Sequence, residues 1–153
     1  MVIKNIVIAG AGIMGSSIAQ IFAKHGYNVS LYDIEDKFLE RSKDLIKLNQ
    51  KTLVEKGELS AEESEQIMGR LSHTLDKSCF AETDFVIEAI IENMDAKHKF
   101  WSEVSQMVRD DVLLTSNTSG LSITEIAKAV RLPERFCGMH WVNPPHLVPL
   151  VEV

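Results

Sequence analysis

The chain has 153 residues, 45% of them apolar and 25% charged, with a formal net charge of −6. These values describe one ordinary globular domain with enough apolar mass for a real core, and the acidic balance excludes general nucleic-acid affinity, which needs a basic surface. No apolar run approaches the length of a membrane span, so no membrane partner is expected, and Cys79 and Cys137, outside any CxxC or metal spacing, are expected to be buried reduced thiols of a cytoplasmic protein.

Ile3 to Ala9 is a β-branched apolar strand that starts so early that no leader peptide is expected. Gly10, Gly12 and Gly15 follow, then a helix to about His25, Gly26 to end it, and a second strand, Asn28 to Tyr32, that delivers Asp33. That is the order of a dinucleotide-binding βαβ unit. Gly10 turns the chain sharply, Gly12 lets the backbone approach a pyrophosphate, and Gly15 lets the helix pack closely on the strands. The pyrophosphate is expected on the free N–H groups of the helix N-terminus, at Ile13 and Met14, where the helix dipole also favours an anion. Asp33 lies 18 residues past the last glycine. A carboxylate there accepts from the ribose hydroxyls and repels a 2′-phosphate, so NAD is expected rather than NADP.

Residues 36 to 56 read as a long helix with Phe38, Leu39, Leu45, Ile46, Leu48 and Leu53 as its apolar positions. Ser60 to Glu63 is a capping box that opens another helix toward Arg70. Together they form a long helical insertion after the second strand. Lys43, Lys47 and Lys51 share one face, with Lys56 just beyond; the stripe either attracts a phosphorylated substrate or is a solvated face balanced by Glu40 and Glu55. Leu71 to Leu75 is a short strand, and Asp84 to Ala89 is apolar enough to be buried on both faces of a parallel sheet. The turn Glu92 to Asp95 starts a helix with Phe100, Trp101, Val104, Met107 and Val108 at core spacing. Val112 to Thr115 is the next strand, which puts Ser116 to Ser119 at a strand's C-terminal end, where open α/β sheets hold ligands. A helix capped by Ser122 stops before Pro133, a strand runs from Phe136 to His140, and a strand-like piece, Leu150 to Val153, follows the turn Trp141 to Pro145. The expected fold is a Rossmann-type α/β domain over residues 1–153, with a doubly wound, mostly parallel sheet and flanking helices.

Hydride transfer from an alcohol to NAD leaves a hydroxyl proton to be removed, so a base is required. Of the five histidines His140 is the best placed, at a strand end beside a proline-constrained turn and near the polar loops. Glu152 can return alongside it, where a carboxylate on one ring nitrogen fixes the tautomer and stabilises the imidazolium. The alternative is a strand-end histidine with a structural hydrogen bond. His25, His73, His98 and His146 fall at a helix end, in a weak strand, on an exposed helix face and in a loop, without evident partners, and no metal site is expected. Glu92 and Lys97 are either a helix-end charge pair or part of a site. Ser116, Asn117 and Ser119 are either turn formers or ligand contacts.

Four motifs carry a resemblance. GAGIMG with Asp33, VIEAIIENMDAK (Val86 to Lys97), SNTSGLSITEIA (Ser116 to Ala127) and HWVNPPHLVPLVEV (His140 to Val153) resemble, in order and spacing, the NAD-binding domain of the L-3-hydroxyacyl-CoA dehydrogenases, a group that includes 3-hydroxybutyryl-CoA dehydrogenases. The likeness covers essentially the whole chain. It implies NAD-dependent oxidation of a short-chain L-3-hydroxyacyl-CoA to 3-oxoacyl-CoA, and the reverse, in fatty-acid and butanoate metabolism. It also implies that His140 is the acid/base, that Glu152 orients it, and that Ser119 and Asn143 hold the substrate's C3 oxygen and the nicotinamide region. Glu92, Lys97 and Asn117 then belong near the cofactor, and Lys56 touches coenzyme A, with Asn49 where the family has a serine.

Two departures qualify the likeness. The common family form is HFFNP, whereas this chain has HWVNPP. The VNPP turn is also similar to the L-gulonate 3-dehydrogenase and lambda-crystallin branch, which keeps a free hydroxy-acid dehydrogenase and a non-catalytic NAD-binding module as alternatives. Family members also continue into a helical domain of roughly 100 residues. That domain supplies the dimer interface and a wall of the acyl pocket. A homodimer is therefore expected of the full-length protein, and weak turnover of residues 1–153 alone.

Overall fold

The computed structural model describes residues 2–145 and 148–153. Six parallel strands form one sheet in the order β3 (Leu71–Thr74), β2 (Asn28–Tyr32), β1 (Asn5–Ala9), β4 (Phe85–Glu88), β5 (Leu113–Ser116) and β6 (Phe136–Gly138). This is the Rossmann-type arrangement. Side chains alternate across the strands, so Ile6, Ile8, Val29 and Leu31 enter one apolar cluster while Val7, Ala9, Val86 and Leu114 enter the other. The first cluster is closed by Ile18 and Ala19 of α1 (Ile13–Lys24), Leu39 and Ile46 of α2 (Asp36–Glu55) and Ile67 of α3 (Ala61–Gly69). The second is closed by Trp101 and Val104 of α4 (Met94–Met107) and Ile126 of α5 (Ile123–Ala127). Strand order reverses between β1 and β4, and the chain therefore leaves a crevice at their C-terminal ends.

The helical insertion is α2 and α3. Its second helix opens on the expected capping box: the Glu63 N–H donates to Ser60 Oγ (3.1 Å) and the Ser60 N–H to Glu63 Oε2 (2.8 Å). The stripe that α2 buries differs from the apolar pattern. Leu39, Ser42, Ile46 and Gln50 are buried, whereas Leu48 is 61% exposed. Helical spacing puts those four residues on one face, and the two polar ones are tolerated because Ser16 Oγ donates to Ser42 Oγ (2.8 Å) and Gln50 Nε2 to Gln20 Oε1 (2.9 Å). Lys43 pairs with Glu40 (2.6 Å) and Lys51 with Glu55 (3.7 Å), so this face is solvated and ion-paired.

Two further elements depart from expectation. After Ala127 the N–H groups of Ala129 and Val130 turn to carbonyls three residues back, and Pro133 opens a short 3-10 turn, so α5 is brief. The strand expected over 136–140 splits. The Met139 N–H still donates to Ser116 O (2.9 Å), but β7 (His140–Trp141) then leaves the sheet and pairs antiparallel with β8 (Val151–Glu152). Cys137 lies on the edge strand β6 and is exposed, so only Cys79 is partly buried. Burial, reinforced by Asp76, pushes the Cys79 thiol up to about 11. No helix among the described residues is long and apolar enough to cross a membrane.

Candidate active site

The glycine loop is shaped by contacts that a side chain would destroy. Gly10 has a φ of +103° and a Cβ there would lie 2.4 Å from Ala89 O; a Cβ on Gly15 would lie 1.8 Å from Gly10 O. A Cβ on Gly12 would meet nothing within 4 Å. No side chain caps α1, so the N–H groups at Ile13 and Met14 sit at an open helix N-terminus. Asp33 holds this loop from the end of β2: its Oδ2 accepts from the Ala11 N–H (2.8 Å) and its Oδ1 from the Ile34 N–H (2.7 Å). The carboxylate therefore shapes the loop as well as facing the crevice. A cavity of ≈ 410 Å³ follows, lined by Gly10, Gly12, Asp33, Ile34, Ile90 and Phe100. A larger depression of ≈ 610 Å³ lies over Asn5, Asn28, Ser30 and Ser72. It includes the N-terminal ends of β1 and β2, the wrong end of a parallel sheet for a nucleotide.

At the far side of the crevice the departure of β7 from the sheet sets the geometry of His140. His140 and Glu152 are direct partners on the β7–β8 ladder, and Nδ1 lies 2.7 Å from Glu152 Oε2. The other ring nitrogen, Nε2, lies 3.1 Å from Ser119 Oγ, on the loop after β5. Asn117 ties the two pieces together, since its Oδ1 accepts the Trp141 N–H (2.8 Å). With Nδ1–H donating to the carboxylate, Nε2 is left with its lone pair toward Ser119 and the crevice.

Sequence reading passed over Glu88. It ends β4, is fully buried, and accepts from Lys97 Nζ (2.5 Å), the Ile90 N–H (3.0 Å) and Ser116 Oγ (2.7 Å). The one available signal was an acid inside an otherwise apolar strand, which must be paired if the strand is buried. Its partner Lys97 is 1% exposed, so it is neither an exposed helix-end charge nor a direct wall of the crevice. Lys97 also reaches Glu92 Oε2 (3.5 Å). Glu92 Oε1 in turn accepts from Thr118 Oγ1 (2.5 Å) and from the N–H groups of Ser119 (3.0 Å) and Gly120 (3.1 Å). Partial burial pushes the Glu92 carboxyl up, but the Thr118 hydroxyl, the Gly120 and Ser119 N–H groups and the Lys97 charge outweigh it and hold it below the usual range. Breaking a buried pair such as Glu88–Lys97 on one side costs about 3–5 kcal/mol, because the remaining charge is stranded.

The other histidines have structural partners: His25 Nδ1 meets Ile21 O (2.8 Å), half-buried His98 Nε2 meets Glu125 O (2.8 Å), and His73 Nε2 meets Ser42 Oγ (3.2 Å). His146 lies outside the described residues. Asn143 is exposed in the turn between β7 and β8, while half-buried Asn49 and exposed Lys56 belong to α2 and its C-cap, in the insertion. Among the described residues no group of His, Cys, Asp or Glu is arranged to hold a metal ion.

A parallel sheet with an open glycine loop, an acid at the end of β2 and a paired histidine across the crevice defines a dinucleotide-binding domain of the dehydrogenase class. The family model described as "3-hydroxyacyl-CoA dehydrogenase, NAD binding domain" matches residues 5–153, and the chain belongs to that family. It is 41% identical over 146 residues to a Deinococcus radiodurans protein named "Probable 3-hydroxybutyryl-CoA dehydrogenase", covering 95% of this chain and 52% of that one. Two solved structures superpose with a TM-score of 0.95. A 3-hydroxybutyryl-CoA dehydrogenase from Escherichia coli K12 is 36% identical, over 99% of this chain and 32% of that one. The (S)-3-hydroxybutyryl-CoA dehydrogenase from Ralstonia eutropha is 34% identical, over 98% of this chain and 53% of that one. The chain thus spans about half, or less, of the length of these relatives.

Proposed function

We propose that this chain is the nucleotide-binding half of an NAD-dependent L-3-hydroxyacyl-CoA dehydrogenase for short acyl chains, with residues 1–153 as one domain. The observation that carries the reading is a single imidazole held between Glu152 and Ser119 across the crevice from the glycine loop. The residues present fit NAD: Gly12 leaves room for a pyrophosphate, α1 offers uncapped N–H groups at Ile13 and Met14, and Asp33 stands where a ribose would lie. Bound NAD supplies a hydride acceptor for the substrate's C3 hydrogen. His140 Nε2 takes the C3 hydroxyl proton as the hydride leaves, and Glu152 stabilises the imidazolium that results. In reduction of the 3-oxo compound, protonated His140 returns that proton to the C3 oxygen. Ser119 Oγ hydrogen-bonds the same oxygen, and Asn143 and Asn117 flank the nicotinamide region; Glu92 shapes the cofactor-side loop.

Lys56 and Asn49 are assigned to the coenzyme A end on the motif resemblance; both lie in the insertion, Asn49 on α2 and Lys56 at its C-cap. The relatives' greater length supports a following domain; its part in the acyl pocket and in a homodimer is what the motif resemblance implies. Acyl-CoA chemistry and unpaired Cys79 and Cys137 fit a cytoplasmic location. The deciding assay follows NADH formed by the full-length protein from L-3-hydroxyacyl-CoA esters of increasing length and from L-gulonate. Turnover is expected with the short CoA esters. Turnover of the free sugar acid alone would overturn the substrate class, and NAD binding without any turnover would leave a binding module.

A further inference from the structure

The strand-end acid Glu88 lies beneath the reacting groups and touches none of them. One buried ammonium, Lys97 Nζ, joins it at 2.5 Å to the network that carries Ser119. Each carboxylate has a separate task. Glu88 closes the turn after β4 through the Ile90 N–H and fixes Ser116 at the end of β5, while Glu92 gathers the Thr118 hydroxyl and two successive N–H groups, Ser119 and Gly120. Three carboxylate contacts on consecutive residues leave the 118–120 backbone little freedom, and Ser119 Oγ is thereby set against His140 Nε2. Lys97 has no exposure to spend on a ligand. Its charge offsets one carboxylate and draws the second inward, so removing Glu88 leaves Lys97 to be satisfied by Glu92 alone. That pull moves Glu92 away from the loop N–H groups, and taking Lys97 away as well leaves Glu92 without its inner anchor, so the 118–120 loop loosens in either case.

We propose that Glu88 is a positioning residue for the Ser119–His140 pair, acting through Lys97 and Glu92; this rests on the dehydrogenase reading above. A buried ion pair with a merely structural role lowers stability and nothing else. A positioning role lowers kcat in enzyme that is folded and holds NAD, since misplacement of a reacting contact by about 1 Å costs on the order of 10²-fold.

The test compares Glu88→Gln, which keeps the shape, and the double variant Glu88→Gln with Lys97→Met, which strands no charge. In full-length protein, kcat for 3-hydroxybutyryl-CoA is expected to fall about 10–100-fold with KM within about threefold in each folded variant. In residues 1–153, amide exchange at Ser119 and Gly120 is expected to quicken at least about tenfold relative to the β1 amides. If Glu88→Gln fails to fold, the double variant carries both readouts. Unchanged kcat, or unchanged exchange at Ser119 and Gly120 in a folded variant, overturns the proposal. An inactive wild type with fast exchange in the variants would sink the dehydrogenase reading and leave the coupling intact.

Discussion

His140 and Glu152 stand directly opposite one another on the two-residue ladder of β7 and β8, with Nδ1 and Oε2 2.7 Å apart. Cross-strand partners have Cβ atoms about 4.5–5.5 Å apart, so an imidazole and a glutamate meet without bending the backbone. The ladder is therefore the device that orients the ring.

Glu152→Gln should preserve the ladder and the hydrogen bond while removing the charge that stabilises the imidazolium. Turnover of the full-length enzyme is expected to fall about 10²–10⁴-fold with NAD affinity retained. Isothermal titration with NAD and steady-state NADH formation on the same preparation check both halves. Unaltered kcat would remove Glu152 from the mechanism.

The three glycines should separate folding from binding. Gly15→Ala drives a methyl onto Gly10 O, 1.8 Å away, and should cost about 3 kcal/mol or more in chemical denaturation. Gly12→Ala meets nothing within 4 Å, so its stability should stay within about 0.5 kcal/mol. Its NAD affinity should nevertheless drop about tenfold or more, because the methyl occupies the side a pyrophosphate approaches. Equal NAD affinity in Gly12→Ala and wild type would count against the loop as the phosphate site.

Stability should have two acid steps. Burial first, and Lys43 second, hold the His73 imidazole below its ordinary 6.5, with Glu40 opposing them. The unfolded chain then binds the proton more readily than the folded one, so this contribution is complete above 6.5 and is lost as pH falls through the lower folded value. A second loss follows at more acid pH. The Asn5 and Lys4 N–H groups, together with Arg109, hold the Asp84 carboxyl below its usual range despite some burial, and that stability disappears as pH falls through the folded value. His73→Gln should flatten the first step in denaturation curves collected across pH, and leave the second. A first step unchanged in that variant would assign it to another group.

Much of the scaffold was legible because its signals are local. The glycine spacing, the Ser60 capping box and the β-branched runs of β1 and β4 each depend on residues a few positions apart. The family was legible for a different reason: four motifs lie in register along the chain. What escaped reading was set by distant partners. The departure of β7 from the sheet depends on β8 and on Asn117, and the burial of Ser42 and Gln50 on α2 depends on Ser16 and Gln20 of α1. Glu88 goes unremarked in the sequence, and Lys97 stays open between a helix-end charge and a site residue, because nothing in nine residues of spacing says that both side chains turn inward under the Ser119 loop.

The most direct test of the account is the turnover of His140→Gln in the full-length protein with 3-hydroxybutyryl-CoA, measured beside its NAD affinity. A fall in kcat of about 10²–10⁴-fold with NAD affinity within about threefold is the predicted result. Full turnover by a protein lacking this imidazole would contradict the mechanism.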